Sequence, residues 1–478
     1  MVPIDLIKKK QMLFGNMDGE LVVAILENGK LVEIHFEHME RLTGNIYLGR
    51  IENIVPNLEA VFVNIGKGKN GFLRSKDIVL PNKKSSKDLQ VGQKVLVQVK
   101  KDPIGSKGAQ LTMNIGIPGR YLVYMPFAHG TIGVSKKILD LDERKRLHNI
   151  VDPLISKNEG VIVRTVSQGI EVEILASELE DLKTLWKEIE KKYKRSRKPK
   201  ELYKEPDVLE YVIRERYDEK VTEIITNDVE IKNRLEVILK KFEARKNIVK
   251  LIEEDPIKLF NINQKLERAL RRVVDLDCGG SIVIDSTEAL TIIDVNSGSN
   301  ISGNGFREMS LKTNLEASKE ISRQLRLRNI SGIVLIDFID MSKEQDKKLV
   351  LETFKEELRK DKGKTAVIGF TKLGLLEMTR KRTSPPLKNS LFSKCPICDG
   401  RGFVISPKRL INRMVNDLSN LYHTEKPKKV ILNLHRSLSG YMNGERRKFI
   451  RNKFKGVEFD YKFDWYDPNS YNINIKKK

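Results

Sequence analysis

The chain has 478 residues, 40% of them hydrophobic and 32% charged, which is enough apolar material for about three domains with real cores. Lys and Arg outnumber Asp and Glu by 88 to 65, and the formal charge of +23 points to a polyanionic partner: RNA, DNA or an anionic membrane surface. No apolar run reaches the length of a membrane span, the first residues carry no secretion signal, and three cysteines cannot build a disulfide framework, so the expectation is a reduced, cytoplasmic protein.

Residues 21–37 (LVVAILENGKLVEIHFE) alternate apolar and polar around Asn28-Gly29, a β-hairpin signal. Five short β-patterned segments follow between residues 45 and 113, and strands so short and so closely spaced predict a small barrel of the oligonucleotide-binding type. Residues 119–175 read as strands (YLVYMP, EGVIVRTVS) around a helix over 136–151. Residues 178–200 read as a helix that turns basic, with seven Lys or Arg in 191–200: either an RNA-facing surface or a solvated helix end. After an alternation of helical and extended patterns over 207–275, residues 280–375 are α/β. GSIVIDS and LTIIDVN are joined by a short turn. A helix over 308–328 follows, with Leu311, Leu315, Ile321 and Leu325 on one face, then GIVLIDF, a helix over 345–360, and TAVIGFT. Strand–helix–strand units of this length predict parallel neighbours. KCPICDGRG (394–402) is a knuckle-like turn, and a helix over 407–422 leads into a small αβ tail.

Asp294 and Asp337 close two of these apolar runs, and Asn296 faces the same side as Asp294 if its strand continues. Two ionised carboxylates held close repel. One Mg²⁺ removes that repulsion, because it takes oxygen ligands, keeps waters and is commonly held by one or two carboxylates plus a substrate phosphate. Phosphodiester hydrolysis is the chemistry such a site serves. Spacing alone leaves open that these aspartates cap loops or helices, and it places Asp285 and Asp340 equally well. Cys395 and Cys398 supply two of the four ligands of a structural zinc site; Cys278 is remote in sequence and no His lies within ten residues. The pair is either half of a site shared by two chains or a thiol pair.

The blocks GSIVIDSTEALTIIDVNSG, TNLEASKEISRQLRLRNISGIVLIDFIDM, GLLEMTRKR and KCPICDGRG closely resemble the signature stretches of the ribonuclease E/G family, and NIYLGRIENIVPNLEAVFVNIG resembles its embedded S1 domain. The likeness runs, with interruptions, from about residue 40 to about residue 405, and no long polar tail follows, so the shorter branch of the family is expected. The family's usual DINS reads DVNS here.

The resemblance implies a multidomain α+β fold. A split ribonuclease H-like subdomain (1–40 and 210–270) would be interrupted by an S1 barrel of the OB type (41–113) and a 5′-sensor region (114–209). A DNase I-like α/β catalytic subdomain (271–391), a zinc-link (392–406) and a small C-terminal αβ domain (407–478) would follow. It implies an endoribonuclease that cuts single-stranded, AU-rich RNA in ribosomal RNA processing and mRNA decay, leaves 5′-phosphate and 3′-hydroxyl ends, and is stimulated by a 5′-monophosphate. The resemblance assigns Asp294, Asn296 and Asp337 to catalysis, with Mg²⁺ on the two aspartates; Phe62, Phe72 and Lys107 to RNA binding; and Gly119, Val123, Arg164 and Thr165 to the 5′ phosphate. It implies a homodimer joined by Zn²⁺ on Cys395 and Cys398 of each chain, with pairing of dimers into a tetramer left open. The alternative is a non-catalytic S1-type RNA-binding protein, and DNA cleavage on the same fold is a third reading.

Overall fold

A computed structural model describes residues 9–37, 42–79, 89–103, 108–242, 244–245, 247–298, 306–382 and 386–476. The chain divides into two units, Met1–Ser390 and Leu391–Lys478.

The first unit opens with an antiparallel meander, β1 (Lys10–Met17), β2 (Glu20–Glu27) and β3 (Lys30–Phe36). Asp18-Gly19 and Asn28-Gly29 make its two turns, with all four residues at positive φ, which matches the twist of two-residue hairpins. The expected turn at Asn28-Gly29 is there; Asp18-Gly19 carries the same signal one hairpin earlier.

Five strands then close a barrel: β4 (Ile46–Val55), β5 (Ala60–Asn64), β6 (Gly71–Arg74), β7 (Lys94–Lys101) and β8 (Gln110–Thr112). They pair in the order β4-β5-β6-β8-β7, and β7 returns to β4. Closure satisfies the ladder groups that an open edge would expose. Next come β9 (Ile117–Pro118), β10 (Leu122–Met125), β11 (Ile132–Val134) and β12 (Gly160–Val163), in the order β11-β12-β10-β9, with helices α1 (Leu141–Val151) and α2 (Val172–Arg195). Helix α1 begins five residues later than expected because Asp140 caps it, accepting from the amides of Asp142 and Glu143. The basic run 191–200 carries α2 to its end and then feeds β13 (Lys200–Tyr203), which pairs with the start of β4. Part of that run is therefore a structural link between helix and barrel.

Helix α3 (Val208–Arg216), β14 (Val221–Thr226), α4 (Val229–Lys241) and β15 (Val249–Leu251) complete the N-terminal sheet. Its order is β15-β14-β1-β2-β3, with β1 parallel to β14 and Leu13 opposite Ile225. Residues 10–36 and 221–251 thus form one sheet around everything between them. Met12, Phe14, Val23 and Ile25 bury against Leu209, Val212, Ile213 and Leu235.

Helices α5 (Pro256–Leu259) and α6 (Ile262–Leu270) lead to a six-stranded sheet: β16 (Val273–Asp275), β17 (Ser281–Ser286), β18 (Leu290–Asn296), β19 (Gly332–Asp337), β20 (Thr365–Phe370) and β21 (Leu376–Arg380). The order is β16-β17-β18-β19-β21-β20. Helix α7 (Phe306–Leu327) is the crossover between the parallel strands β18 and β19, as its length predicts. Helix α8 (Glu344–Leu358) does not deliver a second parallel neighbour. Strand β20 turns back through Thr371–Gly374 into β21, and β21 takes the place beside β19. The inner face buries Ile282, Ile284, Ile293, Val295, Val334 and Ile336 against Ala317, Ile321, Leu325, Val350 and Phe354. Among the described residues nothing packs on the other face, where Ile292 and Ile333 are 43% and 49% exposed.

After α9 (Leu387–Leu391), the second unit holds the cysteine turn, α10 (Pro407–Glu425), α11 (Gly444–Lys453) and a sheet of β22 (Lys429–Asn433), β23 (Glu458–Lys462) and β24 (Asn472–Lys476) in the order β23-β22-β24. Its own core includes Leu410, Ile411, Met414, Leu432 and Ile450. Among the described residues, no helix is long and apolar enough to cross a membrane.

Ile321 is fully buried where α7 meets the six-stranded sheet. Ile321→Ala should lower the unfolding free energy by about 2–5 kcal/mol through lost burial and a cavity, seen as a lower denaturant midpoint.

Candidate active site

On β18, Thr291, Ile293 and Val295 point into the core, while Ile292, Asp294 and Asn296 stand on the bare face. Asp337 stands on the same face of β19. The register sets Asp294 directly opposite Asp337, on neighbouring strands about 4.8 Å apart. The Asn296 amide donates to Asp294 Oδ2 at 2.8 Å, so the expected trio is together. Burial raises the Asp337 pKa from its ordinary value, and the charges of Asp294 and then Asp340 push the same way. Two oxygen donors that repel in this way suit a hard divalent cation.

Asp285, equal to the pair by sequence pattern, is accounted for otherwise. Arg272 donates to both its oxygens, at 2.7 and 2.6 Å. Asp340 is near enough for its charge to reach Asp337, yet among the described residues no group of three or more His, Cys, Asp or Glu is placed to hold a metal.

Two supports of the pair escaped the sequence reading. Asn314, fully buried on α7, donates to the Ile339 carbonyl at 2.8 Å and accepts from the Ile339 amide at 3.0 Å, which fixes the chain two residues beyond Asp337. Its signal was an amide placed among the apolar residues of a helix. Gly298, at φ +70°, lies against Gly279 so closely that a Cβ would sit 2.2 Å from the Gly279 carbonyl oxygen. The loop that leaves β18 past Asn296 therefore needs glycine at position 298.

On the barrel, Phe62 and Phe72 are directly opposed across β5 and β6, with ring centroids 5.7 Å apart and edge to face. Both rings are half-buried and lie outside the barrel core of Tyr47, Ile51, Val61, Val63 and Leu73. The Arg74 guanidinium stands 5.8 Å from the Phe72 ring. Lys107 lies outside the described residues.

Arg164, just past β12, donates to the Gly119 carbonyl at 2.6 Å. Thr165 pairs its hydroxyl with that of Ser135 at 2.8 Å, and Val123 sits half-buried on β10. Glu178 clamps the turn after Gly119 by accepting from the amides of Arg120, Tyr121 and Leu122, and a Cβ at Gly119 would lie 2.6 Å from that carboxyl. The guanidinium of Arg164 is already engaged: both Nη atoms donate to the Glu215 carboxylate on α3. Glu215 also takes the Arg214 Nε at 3.0 Å. Burial opposes the ionised form of Glu215, but Arg164, followed by Arg214 and Arg216, holds its pKa down at about 2. Glu215 was missed because nothing local marks a helix carboxylate fifty-one residues from its partner.

In the second unit Cys395 is exposed and Cys398 is buried. The Gly402 amide donates to Cys398 Sγ at 3.3 Å and is the main influence lowering that thiol's pKa, joined by Cys395 and the amides of Gly400 and Arg401. A thiolate held by amides is the form that binds metal. Asn469 ties this turn down, donating to the Ile397 carbonyl and accepting from the Ile405 amide, both at 2.8 Å.

A sequence model described as the ribonuclease E/G family matches residues 116–383. Ribonuclease G of Salmonella typhimurium is 34% identical over 453 residues, 91% of this chain and 92% of that protein. Ribonuclease G of Escherichia coli K12 is 35% identical over 457 residues, with the same two shares. Ribonuclease E of a Nostoc species is 37% identical over 406 residues, 82% of this chain and 59% of that protein. The likeness expected to the shorter branch is thus carried by nearly the full length of both chains.

Because the Glu215 pKa lies near 2 in the folded chain and near 4.3 in a free glutamate, its pairing stabilises fully above about pH 4.3 and is lost as the pH falls towards 2. Glu215→Gln should cost roughly 2–3 kcal/mol at pH 7 and flatten the loss of stability over that acid range. An unchanged acid limb in denaturant titrations would contradict the pairing.

Proposed function

The chain belongs to the ribonuclease E/G family and is an endoribonuclease; on that premise we propose that Asp294, Asn296 and Asp337 form a Mg²⁺-dependent site where single-stranded, AU-rich RNA is cut to leave 5′-phosphate and 3′-hydroxyl ends. The observation that carries this is the register of Asp294 against Asp337 on an open sheet face, with Asn296 bonded to the first of them. Asp294 and Asp337 would hold a divalent cation, which supplies charge at a phosphoryl oxygen and makes a nearby water more acidic. Asn296 orients Asp294, and Asn314 holds the chain behind Asp337. Water attack on phosphorus with the 3′ oxygen leaving gives the stated ends.

The remaining assignments follow the same premise. The barrel is the S1 domain, and Phe62 and Phe72 stack unpaired bases, each ring worth about 1–3 kcal/mol, with Lys107 beside them. Duplex RNA hides those base faces, which favours single strands. The sheet assembled from residues 10–36 and 221–251 is the split ribonuclease H-like part, and the six-stranded sheet with α7 and α8 is the DNase I-like part. Arg164, Thr165, Gly119 and Val123 receive a 5′-monophosphate; an arginine fork and a hydroxyl suit its charge and shape. Cys395 and Cys398 bind Zn²⁺ with the same pair of a second copy, because four ligands are needed and each chain offers two together. The enzyme would then act as a cytoplasmic homodimer in ribosomal RNA processing and mRNA decay.

Asp294→Asn should slow cleavage of a short AU-rich RNA by about a thousandfold or more and leave its binding constant within about twofold. Cleavage at the wild-type rate would sink the site. Cys395→Ser should lose bound zinc and sediment as a monomer; an unchanged mass would refute the shared ion.

A further inference from the structure

Between the strands that carry Arg164 and the connection from α8 to β20, charges are almost all matched. Arg164 and Arg214 share Glu215, and Arg214 also takes Glu205 at 2.8 Å. Arg216 holds Glu33, Lys10 holds Asp218 at 2.6 Å, and Arg380 takes both oxygens of Asp361, at 2.6 and 3.2 Å. Five carboxylates answer five cations.

Two ammonium groups are left over. Lys137, three residues past β11, donates to the Asp361 carbonyl at 2.7 Å. Lys362 donates to the main-chain carbonyl of Glu215. Among the described residues, neither has a carboxylate within ion-pair distance. Burial lowers the pKa of both. For Lys137 the Asp361 charge opposes this and Arg216 adds to it; for Lys362 the charges of Arg216 and Lys10 add to it, those of Asp218 and Glu33 oppose it, and the value comes down to about 7. Both lysine side chains reach solvent.

These lysines adjoin the sensor residues. Thr165 bonds to Ser135, whose hydroxyl accepts the Lys137 amide at 3.3 Å. Arg164 grips the side chain of the residue whose carbonyl takes Lys362. A cationic position without its own carboxylate is where an incoming anion gains most, since it displaces no internal partner.

We propose that Lys137 and Lys362 form a second phosphate position, beside Arg164 and Thr165, that takes the first backbone phosphate after the 5′ end of a bound RNA. The proposal rests on the reading of Arg164 and Thr165 as the 5′-phosphate site. It makes recognition of the RNA end a reading of two successive charges.

The test replaces the first phosphodiester of a short 5′-phosphorylated RNA with an uncharged methylphosphonate. In the wild-type enzyme this should raise KM by about tenfold, the scale of one lost charged hydrogen bond, with kcat within about twofold. In Lys137→Met/Lys362→Met, the normal RNA should already show the raised KM, and the methylphosphonate should add nothing. Lys362→Arg in the Lys137→Met background should restore part of the discrimination. A methylphosphonate without effect on the wild type, or with equal effect on wild type and variant, overturns the second position, as does a variant whose kcat alone falls. Arg164→Gln separates the two readings: it should abolish the advantage of a 5′-phosphate over a 5′-hydroxyl. Loss of that advantage without coupling to the methylphosphonate leaves the sensor standing and removes Lys137 and Lys362. Inorganic phosphate at millimolar concentration should compete with RNA in the wild type more than in the lysine variant; equal competition would count against the position.

Discussion

Two negative charges held side by side are the constraint on which this molecule turns. Strand pairing sets Asp294 and Asp337 across from each other, and nothing in a relaxed chain would keep them there. The neighbouring elements supply the restraint. Helix α7 returns the chain so that β18 and β19 run parallel, its apolar stripe fixes the sheet from behind, and Asn314 reaches through that stripe to grip the backbone past Asp337. The unpacked face is the complement of this arrangement. A sheet covered on both sides would bury the carboxylates and leave no route for a polyanion.

The net charge of +23 gives little guide to where that polyanion binds. Around the proposed sensor most arginines are already matched to internal carboxylates, Arg164 among them. A guanidinium so engaged is pre-oriented but partly neutralised, and a phosphate arriving there must compete with or share Glu215. The residues free to add attraction are the few whose partners are carbonyl oxygens. Counting basic residues measures long-range pull; pairing them off shows where contact can form.

What could be read in advance follows the range of the interactions involved. Hairpins set by Asn-Gly, the alternation that places Ile292, Asp294 and Asn296 on one face, and the α7 crossover are local in sequence and legible there. Resemblance of whole blocks to a family then separated Asp294 and Asp337 from Asp285, which alternation alone ranks equally. The structure gives a physical reason for that separation: Arg272 occupies Asp285. Long-range pairings were not legible in the residue patterns. The joining of 1–40 with 210–270 came from the resemblance alone, and the insertion of β21 between β19 and β20, the docking of β13 on the barrel and the grip of Glu215 on Arg164 all join segments whose patterns do not refer to each other.

The pairing of β1 with β14 also bears on how the chain is made. At about 5–20 residues per second, some 200 residues of synthesis separate the two strands by roughly 10–40 s. Throughout that interval the meander of β1–β3 exists with its future parallel edge bare, while the closed barrel behind it can already satisfy its own strands. The nascent enzyme therefore passes through a stage in which one finished module hangs beside an unfinished sheet, and that uncovered β1 edge is the place where ribosome-bound chaperones would be needed and where crowded chains would join wrongly.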